Sequence, residues 1–310
     1  MTRFSSALAF TASLLIGVCL ATSSVASDLV VVSNNTGKVL RYGPTGAFIG
    51  EFAGISGARG IADDGAGHVY VSSANGSLAK YDEDGGLLDF VATSLFGSLA
   101  ADSNQIVYVT SFFDDSISAF DFSVSPPLSL GAFVASGSGG LDGPTAMTFG
   151  PDEDLYVSSR ISGQVLHYSG SSGAFLEVFA TPGGNGPQGL TFGPGGDLFV
   201  ANNSTDLVVR FDGTTGAALG AFATPTFDAT DGMTPVFGPD GDLYVSGSYT
   251  SDSIERFDGT TGGFIEVFVS SGSGGLDFPT QFIFVPEPGR AAGELVAAAG
   301  LAAAARRRRN

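Results

Sequence analysis

The chain has 310 residues, of which 46 are glycine and 14% are charged, and its formal net charge is -18. So acidic a chain is poorly suited to nucleic acid or to an anionic membrane surface, which argues against both as partners of the folded part. Cys19 is the one cysteine and lies in an N-terminal apolar segment, so the rest of the chain offers neither a disulfide framework nor a cysteine-based metal site.

The first 27 residues have the pattern of a secretory signal peptide. Arg3 gives a short positive region, residues 8–20 form an apolar run, and small residues precede the bond between Ser27 and Asp28. We therefore expect cleavage at that bond and export of the protein.

Two other interpretations of this N-terminal segment are weaker. A retained membrane anchor would need an apolar run of about 20 residues, and the run here is short for that purpose. A lipoprotein signal would use Cys19, but Val18 stands where such a signal needs a small residue.

A unit of ten or eleven residues recurs through the following segment, residues 28–284. In each copy a turn rich in Gly and Asp joins two apolar runs, and the second run is β-branched and aromatic, which is the pattern of a β-hairpin. The copies, from the most regular to the most degenerate, are Phe237–Ser246, Phe149–Ser158, Phe192–Ala201, Ala62–Ser72 and Ala101–Thr110.

Six such units can be followed, each with four predicted strands. The centres of the second strands are roughly 40 residues apart, a period typical of propellers and solenoids, and they are Val31, Tyr70, Tyr108, Tyr156, Phe199 and Tyr244. A third strand that ends in an aromatic residue, an Asp/Gly turn, a fourth strand and a Gly-rich linker follow each centre. The sequence therefore predicts an all-β, six-bladed β-propeller over residues 28–284.

The two ends of this region complement each other. The predicted mature chain begins at Asp28, directly with a second strand, whereas Thr280–Phe284 matches a first strand. We expect these N- and C-terminal strands to share one blade and so close the ring, which would hide sheet edges.

The Gly-Pro-Asp-Gly-Asp-Leu-Tyr-Val-Ser pattern of residues 238–246, followed by the Arg256-Phe257-Asp258 strand end, resembles NHL-repeat and streptogramin-lyase-like six-bladed propellers. The resemblance covers roughly residues 28–284. It implies the fold, while its implication for function is weak because such propellers host many activities.

No residue is assigned a catalytic role. Resemblance to the streptogramin lyases would imply a His/Glu metal cluster at the face of the ring, but His68 and His167 do not form a matching pair and are interpreted as structural or solvated. The sequence also lacks a Gly-x-Ser-x-Gly elbow, a phosphate loop and a Cys/His cluster.

Three linker aspartates are weak metal candidates. Asp142, Asp231 and Asp277 each come just before an innermost strand. Resemblance to sugar-lactonase-like propellers would imply a metal site of acidic residues and Asn near the axis. These aspartates could gather at the mouth of the ring and bind Ca²⁺ through their oxygens. The favoured interpretation is that each serves a turn, so no cofactor is predicted.

The loops after the second strands are predicted to share one face with the linkers. They carry amides, an arginine and aromatics, which suit a polar ligand such as a glycan or a peptide. The residues of this expected ligand face are Asn34, Asn75, Phe112, Arg160, Asn202 and Tyr249.

The C-terminal segment, residues 285–310, departs from the blade pattern. Val285-Pro286-Glu287-Pro288 precedes an apolar Ala-rich segment, and a basic cluster ends the chain at Arg306, Arg307, Arg308 and Arg309. This order resembles the PEP-CTERM sorting signal of Gram-negative bacteria that produce extracellular polysaccharide. The resemblance implies an exosortase-type processing enzyme as partner and a transient inner-membrane helix, and the arginines agree with the positive-inside tendency. The competing interpretation is an Ala-rich surface helix with a basic tail.

The sequence thus predicts an exported β-propeller that binds a glycan or protein at the cell surface or in the extracellular matrix. The alternative is a metal-dependent propeller hydrolase or lyase acting at the mouth of the ring.

Overall fold

The repeat units fold into antiparallel sheets of four strands each, in a computed structural model that describes residues 27–183, 186–226, 233–248 and 251–287. In chain order the strands are β1 (Ser27–Ser33), β2 (Lys38–Tyr42), β3 (Phe48–Ala53), β4 (Ala58–Asp63), β5 (His68–Ser73), β6 (Ser77–Asp82), β7 (Leu87–Ala92), β8 (Leu99–Ala101), β9 (Ile106–Ser111), β10 (Ser116–Asp121), β11 (Leu128–Val134), β12 (Pro144–Phe149), β13 (Leu155–Ser159), β14 (Gln164–Tyr168), β15 (Phe175–Ala180), β16 (Pro187–Phe192), β17 (Leu198–Asn202), β18 (Leu207–Phe211), β19 (Ala218–Ala223), β20 (Pro235–Phe237), β21 (Leu243–Gly247), β22 (Ser253–Phe257), β23 (Phe264–Val269) and β24 (Pro279–Pro286).

These strands form six blades. Blade 1 has the order β24-β1-β2-β3, and blades 2 to 6 take β4–β7, β8–β11, β12–β15, β16–β19 and β20–β23 in turn. The predicted all-β, six-bladed propeller is therefore confirmed.

The Asp and Gly residues of the recurring unit make its turn. In blade 6 the Gly238 amide donates to the Asp242 carbonyl at 2.9 Å, and the Asp240 carboxylate accepts the Asp242 amide at 3.2 Å. Gly241 has a φ of +84°, a left-handed conformation that glycine adopts without a Cβ penalty. The unit is thus a hairpin, as its sequence predicts.

Aromatic residues at the centres of the second strands hold neighbouring blades together. Tyr156 packs edge-on against Phe179 of its own blade and Phe192 of the next blade, both with ring centroids 4.9 Å away. Phe199 makes the same pair of contacts with Phe222 and Phe237. Such T-shaped contacts are the favoured geometry for aromatic rings, so the core consists of layers between blades.

Blade 1 draws strands from both ends of the described chain. β1 pairs with β24 in antiparallel fashion, with Ser27 opposite Pro286 and Asp28 opposite Val285. Arg41 on β2 reinforces this junction by donating to the Asp28 carboxylate at 2.6 Å and to the Pro286 carbonyl at 3.4 Å.

The antiparallel order gives every blade two different ends. The linkers between blades and the turns from second to third strands lie at one end, which we call the mouth end. The turns from first to second and from third to fourth strands lie at the other, which we call the hairpin end.

The predicted signal peptide, except for Ser27, and residues 288–310 of the predicted sorting signal lie outside the described residues. Within the described ranges, no helix has the length and apolar character needed to cross a membrane.

Candidate functional site

A cavity of about 400 Å³ opens at the mouth end on the axis of the ring. All six blades line it, because the chain reaches the axis at the start of each innermost strand. The contributing residues at these starts, from blade 1 to blade 6, are Thr280 and Gln281, Arg59, Ser98, Thr145, Gln188 and Thr234.

Hydrogen bonds link the innermost strands around this cavity. Gln281 accepts the backbone amides of Ile61 and Leu99 through Oε1, both at 3.3 Å, and its Nε2 donates to Ser98 Oγ at 2.6 Å. One amide side chain thereby joins blades 1, 2 and 3. Thr145 extends the pattern by donating to the Gln188 carbonyl of blade 5 at 3.1 Å.

Blade 3 adds aromatic rings to the rim of the cavity. Phe112 and Phe113 follow β9 and pack edge-on with ring centroids 5.3 Å apart. Phe96, in the linker before β8, lies at the same rim. Phe113 is 88% exposed and Phe96 is 45% exposed, so two rings present apolar surface to solvent beside the cavity.

The charge of this cavity is balanced and small. Among the described lining residues, Arg59 and Asp114 are the two that carry charge. Arg59 donates to the Asn34 carbonyl at 2.9 Å, and Asp114 accepts the Ser111 hydroxyl at 2.6 Å. The remaining polar lining consists of hydroxyl and amide groups, so the cavity suits a neutral polar ligand.

The linkers around the mouth are anchored by tyrosines. Tyr168 donates to the Ser138 carbonyl and Tyr42 to the Ser273 carbonyl, each at 2.7 Å. Burial raises the pKa of both phenols well above the usual value, so they remain protonated donors.

Some residues of the expected ligand face line the mouth cavity, and others do not. Asn34 and Phe112 line the mouth cavity. Arg160 lies against Gly186 of the next linker, while Asn75 donates to Ser56 Oγ at 2.8 Å. These last two are not among the residues that line the cavity.

Asn202 and Tyr249 complete that face. Asn202 is fully buried and donates to the carbonyls of Pro182 and Gly183 at 3.1 and 2.8 Å. It has no surface for a ligand and serves the linker, so we leave it out of the candidate site. Tyr249 lies outside the described residues.

The linker aspartates contact second strands and the loops that follow them. The Asp277 carboxylate accepts the Asn35 side-chain amide at 2.8 Å, and the Asp142 backbone amide donates to Ser159 Oγ at 2.9 Å. Neither aspartate is among the described residues that line the mouth cavity. Asp231 lies outside the described part of the chain, and the three-aspartate Ca²⁺ site stays the weaker of the two interpretations.

The two histidines lie at the hairpin end. His68 Nδ1 is 2.7 Å from Asp64 Oδ2, and the same carboxyl oxygen accepts the Tyr70 hydroxyl at 3.1 Å. This group closes the turn before β5. His167, on β14, faces the carboxylates of Asp152 and Asp154.

Fold and cavity together define a six-bladed β-propeller with an axial mouth cavity that is lined by hydroxyl, amide and aromatic side chains. No protein-family model matches the sequence, and a search of curated proteins finds no match. Among solved structures, a chain of the nidogen/laminin complex aligns with a TM-score of 0.66 at 16% identity, covering 84% of this chain and 98% of that chain. A protein of unknown function from Bacteroides caccae aligns with a TM-score of 0.59 at 12% identity, covering 84% of this chain and 100% of that one.

Virginiamycin B lyase from Staphylococcus aureus, a streptogramin lyase, is a third neighbour. It aligns with a TM-score of 0.51 at 18% identity, covering 67% of this chain and 69% of the lyase chain. These likenesses confirm at the level of fold the resemblance to NHL and streptogramin-lyase propellers. At such identities they carry no activity across.

Proposed function

We propose that this protein is an exported β-propeller of the cell surface or extracellular matrix that binds a neutral glycan at its mouth cavity. The signal-peptide pattern of residues 1–27 supports export, and the order of motif, apolar segment and basic cluster in residues 285–310 supports sorting by an exosortase-type enzyme. Within this proposal the pairing of β1 with β24 closes the ring.

The exposed ring of Phe113 beside the mouth cavity is the observation that carries the ligand class. The apolar face of a sugar ring stacks on an aromatic side chain, while its hydroxyls exchange hydrogen bonds with amides and hydroxyls. Phe113 and Phe96 supply the first kind of contact, and Thr145, Gln188 and Gln281 the second. The small charge of the lining favours a neutral sugar over a uronic acid.

The test is a glycan array probed with the full chain, followed by calorimetry on the strongest ligand. Phe113→Ala should weaken that affinity about tenfold, or ~1.4 kcal/mol, since it removes one stacking surface. The matched control is Phe90→Ala, which deletes an aromatic ring that is 58% exposed on the outer strand β7. It should leave affinity unchanged.

Two outcomes would contradict the proposal. One is an array on which no glycan is retained above the level of an unrelated protein. The other is equal loss of affinity in both variants, since that would place the binding surface away from the mouth.

The alternative, a hydrolase or lyase acting at the mouth, requires a metal or paired acid and base groups there. Asp114 is the one carboxylate among the described lining residues, which is why we favour a binding protein. Release of product from the retained glycan, detected by mass spectrometry, would reverse this preference.

Sorting is tested separately in the producing organism. Replacing Pro286, Glu287 and Pro288 by alanine should block removal of the C-terminal segment and change the location of the protein. Unchanged intact mass and location would refute an exosortase-type signal, and the glycan result would stand regardless.

A further inference from the structure

A cluster of titratable side chains lies at the hairpin end of blade 4, away from the mouth cavity. His167 Nε2 is 3.6 Å from Asp152 Oδ2 and 3.3 Å from Asp154 Oδ2. One ligand atom from each of the three side chains lies within 4.8 Å of the other two. Exposed carboxylates alone are common on proteins and do not indicate a metal site. The burial and hydrogen bonding of His167 are therefore the informative features of this cluster.

His167 is only 9% exposed, and its Nε2 atom is buried without a hydrogen-bond partner among the described residues. Its other ring nitrogen, Nδ1, is 3.5 Å from Glu177 Oε1. A proton on Nδ1 that is shared with Glu177 leaves the lone pair of Nε2 directed toward two carboxylates. Such an arrangement is repulsive unless a proton on Nε2 or a metal cation lies between this nitrogen and the carboxylates.

The carboxylates of Asp152 and Asp154 are already oriented to hold a cation. Asp152 uses Oδ1 to accept the Asp154 amide at 3.2 Å, and Asp154 uses Oδ1 to accept the Gly170 amide at 2.7 Å. Both residues therefore turn Oδ2 toward His167. Tyr156 donates its hydroxyl to Asp152 Oδ2 at 2.8 Å and stacks on the imidazole with centroids 4.3 Å apart. Outer contacts of this kind fix metal ligands in place.

Blade 6 has an arginine at the position that His167 occupies in blade 4. There Arg256 is opposite Tyr244, as His167 is opposite Tyr156. Its Nη2 lies 2.7 Å from both Asp240 and Asp242. Blades 1 and 5 likewise place Arg41 and Arg210 against carboxylates. In blade 4 the carboxylate pair is kept while the permanent cation is replaced by a shorter imidazole.

We propose that Asp152, Asp154 and His167 bind a first-row divalent cation of the Zn²⁺ class, which takes the place of the missing guanidinium. Two carboxylates and one imidazole are a donor set that Zn²⁺ accepts. Zn–ligand bonds of about 2.1 Å in a tetrahedron separate the ligand atoms by about 3.4 Å, and the His–Asp separations in blade 4 are 3.3 and 3.6 Å.

The site has room for a fourth ligand. The Asp152 side chain is 45% exposed and borders a groove between blades 3 and 4 that is also lined by Asp102, Asn104 and Glu153. The acidic groups along this groove attract cations toward the site. Water can therefore complete the coordination, and the site does not depend on the proposed glycan function.

The experiment measures Zn²⁺ binding to the full chain by calorimetry, with metal content checked after dialysis. Wild type should bind one equivalent through this site, and His167→Arg should lower its affinity by about 100-fold or more. The arginine reproduces the ion pairs of blades 1, 5 and 6, so the fold should survive. Asp154→Asn removes one ligand oxygen while keeping an acceptor for Gly170, and should give the same loss.

A gain-of-site variant completes the test. Blade 6 carries Asp240, Asp242 and Glu266 in the places of Asp152, Asp154 and Glu177. Arg256→His should therefore raise the stoichiometry by one equivalent, and Co²⁺ should give visible absorption from both sites.

Three results would overturn the proposal. The first is an absence of Zn²⁺ binding by wild type, which would make His167 a simple ion-pair partner of the aspartates. The second is unchanged affinity in both the His167→Arg and Asp154→Asn variants, which would place the metal elsewhere. The third is an unchanged Zn²⁺ stoichiometry in the Arg256→His variant, provided that circular dichroism shows this variant to be folded.

Discussion

Exchange of Asp28 for alanine should destabilise the propeller by about 3–5 kcal/mol, the range for breaking a buried ion pair by removing one partner. Asp28 and Arg41 are 2% and 6% exposed, and Arg41 Nε donates to Asp28 Oδ2 at 2.6 Å. Arg41 is also held by the carbonyls of Glu83 and Pro286 at 3.0 and 3.4 Å. The guanidinium cannot swing into solvent without losing these bonds, so the charge stays buried and uncompensated.

The assay is urea unfolding of the full chain followed by circular dichroism. The chain has 8 tyrosines and no tryptophan, so tyrosine emission gives a second probe. Glu51→Ala is the control, because Glu51 pairs with Lys38 at 3.2 Å on the surface, where the side chains are 41% and 51% exposed. This change should cost less than about 1 kcal/mol. Intact mass must show the same chain ends in both variants.

Equal destabilisation by the two substitutions, or a cost below about 1 kcal/mol for Asp28→Ala, would refute the reasoning. It would mean that Arg41 finds water or a new partner when Asp28 is gone. The junction between β1 and β24 would then owe its strength to backbone pairing alone.

Gln281→Leu should cost about 2 kcal/mol, because two backbone amides and one hydroxyl at the axis lose the partner that Gln281 gives them; an unchanged melting temperature would contradict this. Hydrogen bonds from the Thr261 amide and hydroxyl lower the pKa of Asp258, so its stabilising effect is present above the unfolded value of about 4 and is lost as pH falls through the folded pKa. Asp258→Asn keeps an acceptor without a titration, so the stability of this variant should fall less than that of wild type between about pH 7 and about pH 3; parallel pH profiles would show that Asp258 contributes nothing.

The blades were predictable because their signals are local. A Gly-Pro-Asp-Gly-Asp turn and an apolar run of three residues predict the hairpin around Gly241 without information from the rest of the chain. The spacing of Tyr108, Tyr156 and Tyr244 then gives the number of units. Local turn chemistry and repetition were enough for the architecture.

The mouth cavity was less predictable because it depends on contacts across the ring. Gln281 joins blades whose residues are more than 180 positions away in the chain, and no pattern around Thr280-Gln281 marks that role. The expected ligand face included Asn34 and Phe112 because both lie on loops after second strands, and both line the mouth cavity. It included Asn202 for the same reason, although burial turns that side chain inward.

His167 shows why its candidate metal site could not be predicted from the sequence alone. In the sequence it is a variant of a position that holds arginine elsewhere, and such variation is ordinary in repeats. Only the register that sets Tyr156 opposite His167 and Tyr244 opposite Arg256 reveals which carboxylates lose their cation. The sequence shows that histidine replaces arginine. The chemical consequence becomes visible only when the structure places the carboxylates of the neighbouring turn beside this histidine.

The junction in blade 1 also bears on how the molecule would stand on a cell. β1 begins and β24 ends at the hairpin end, where Ser27 is opposite Pro286. A tether that continues beyond Glu287 would therefore leave from the side opposite the mouth cavity. If the proposed attachment through the C-terminal segment holds, the propeller would turn its rim aromatics toward the surroundings and its blade 4 carboxylates toward the point of attachment. Attachment and recognition would then occupy opposite poles of the domain.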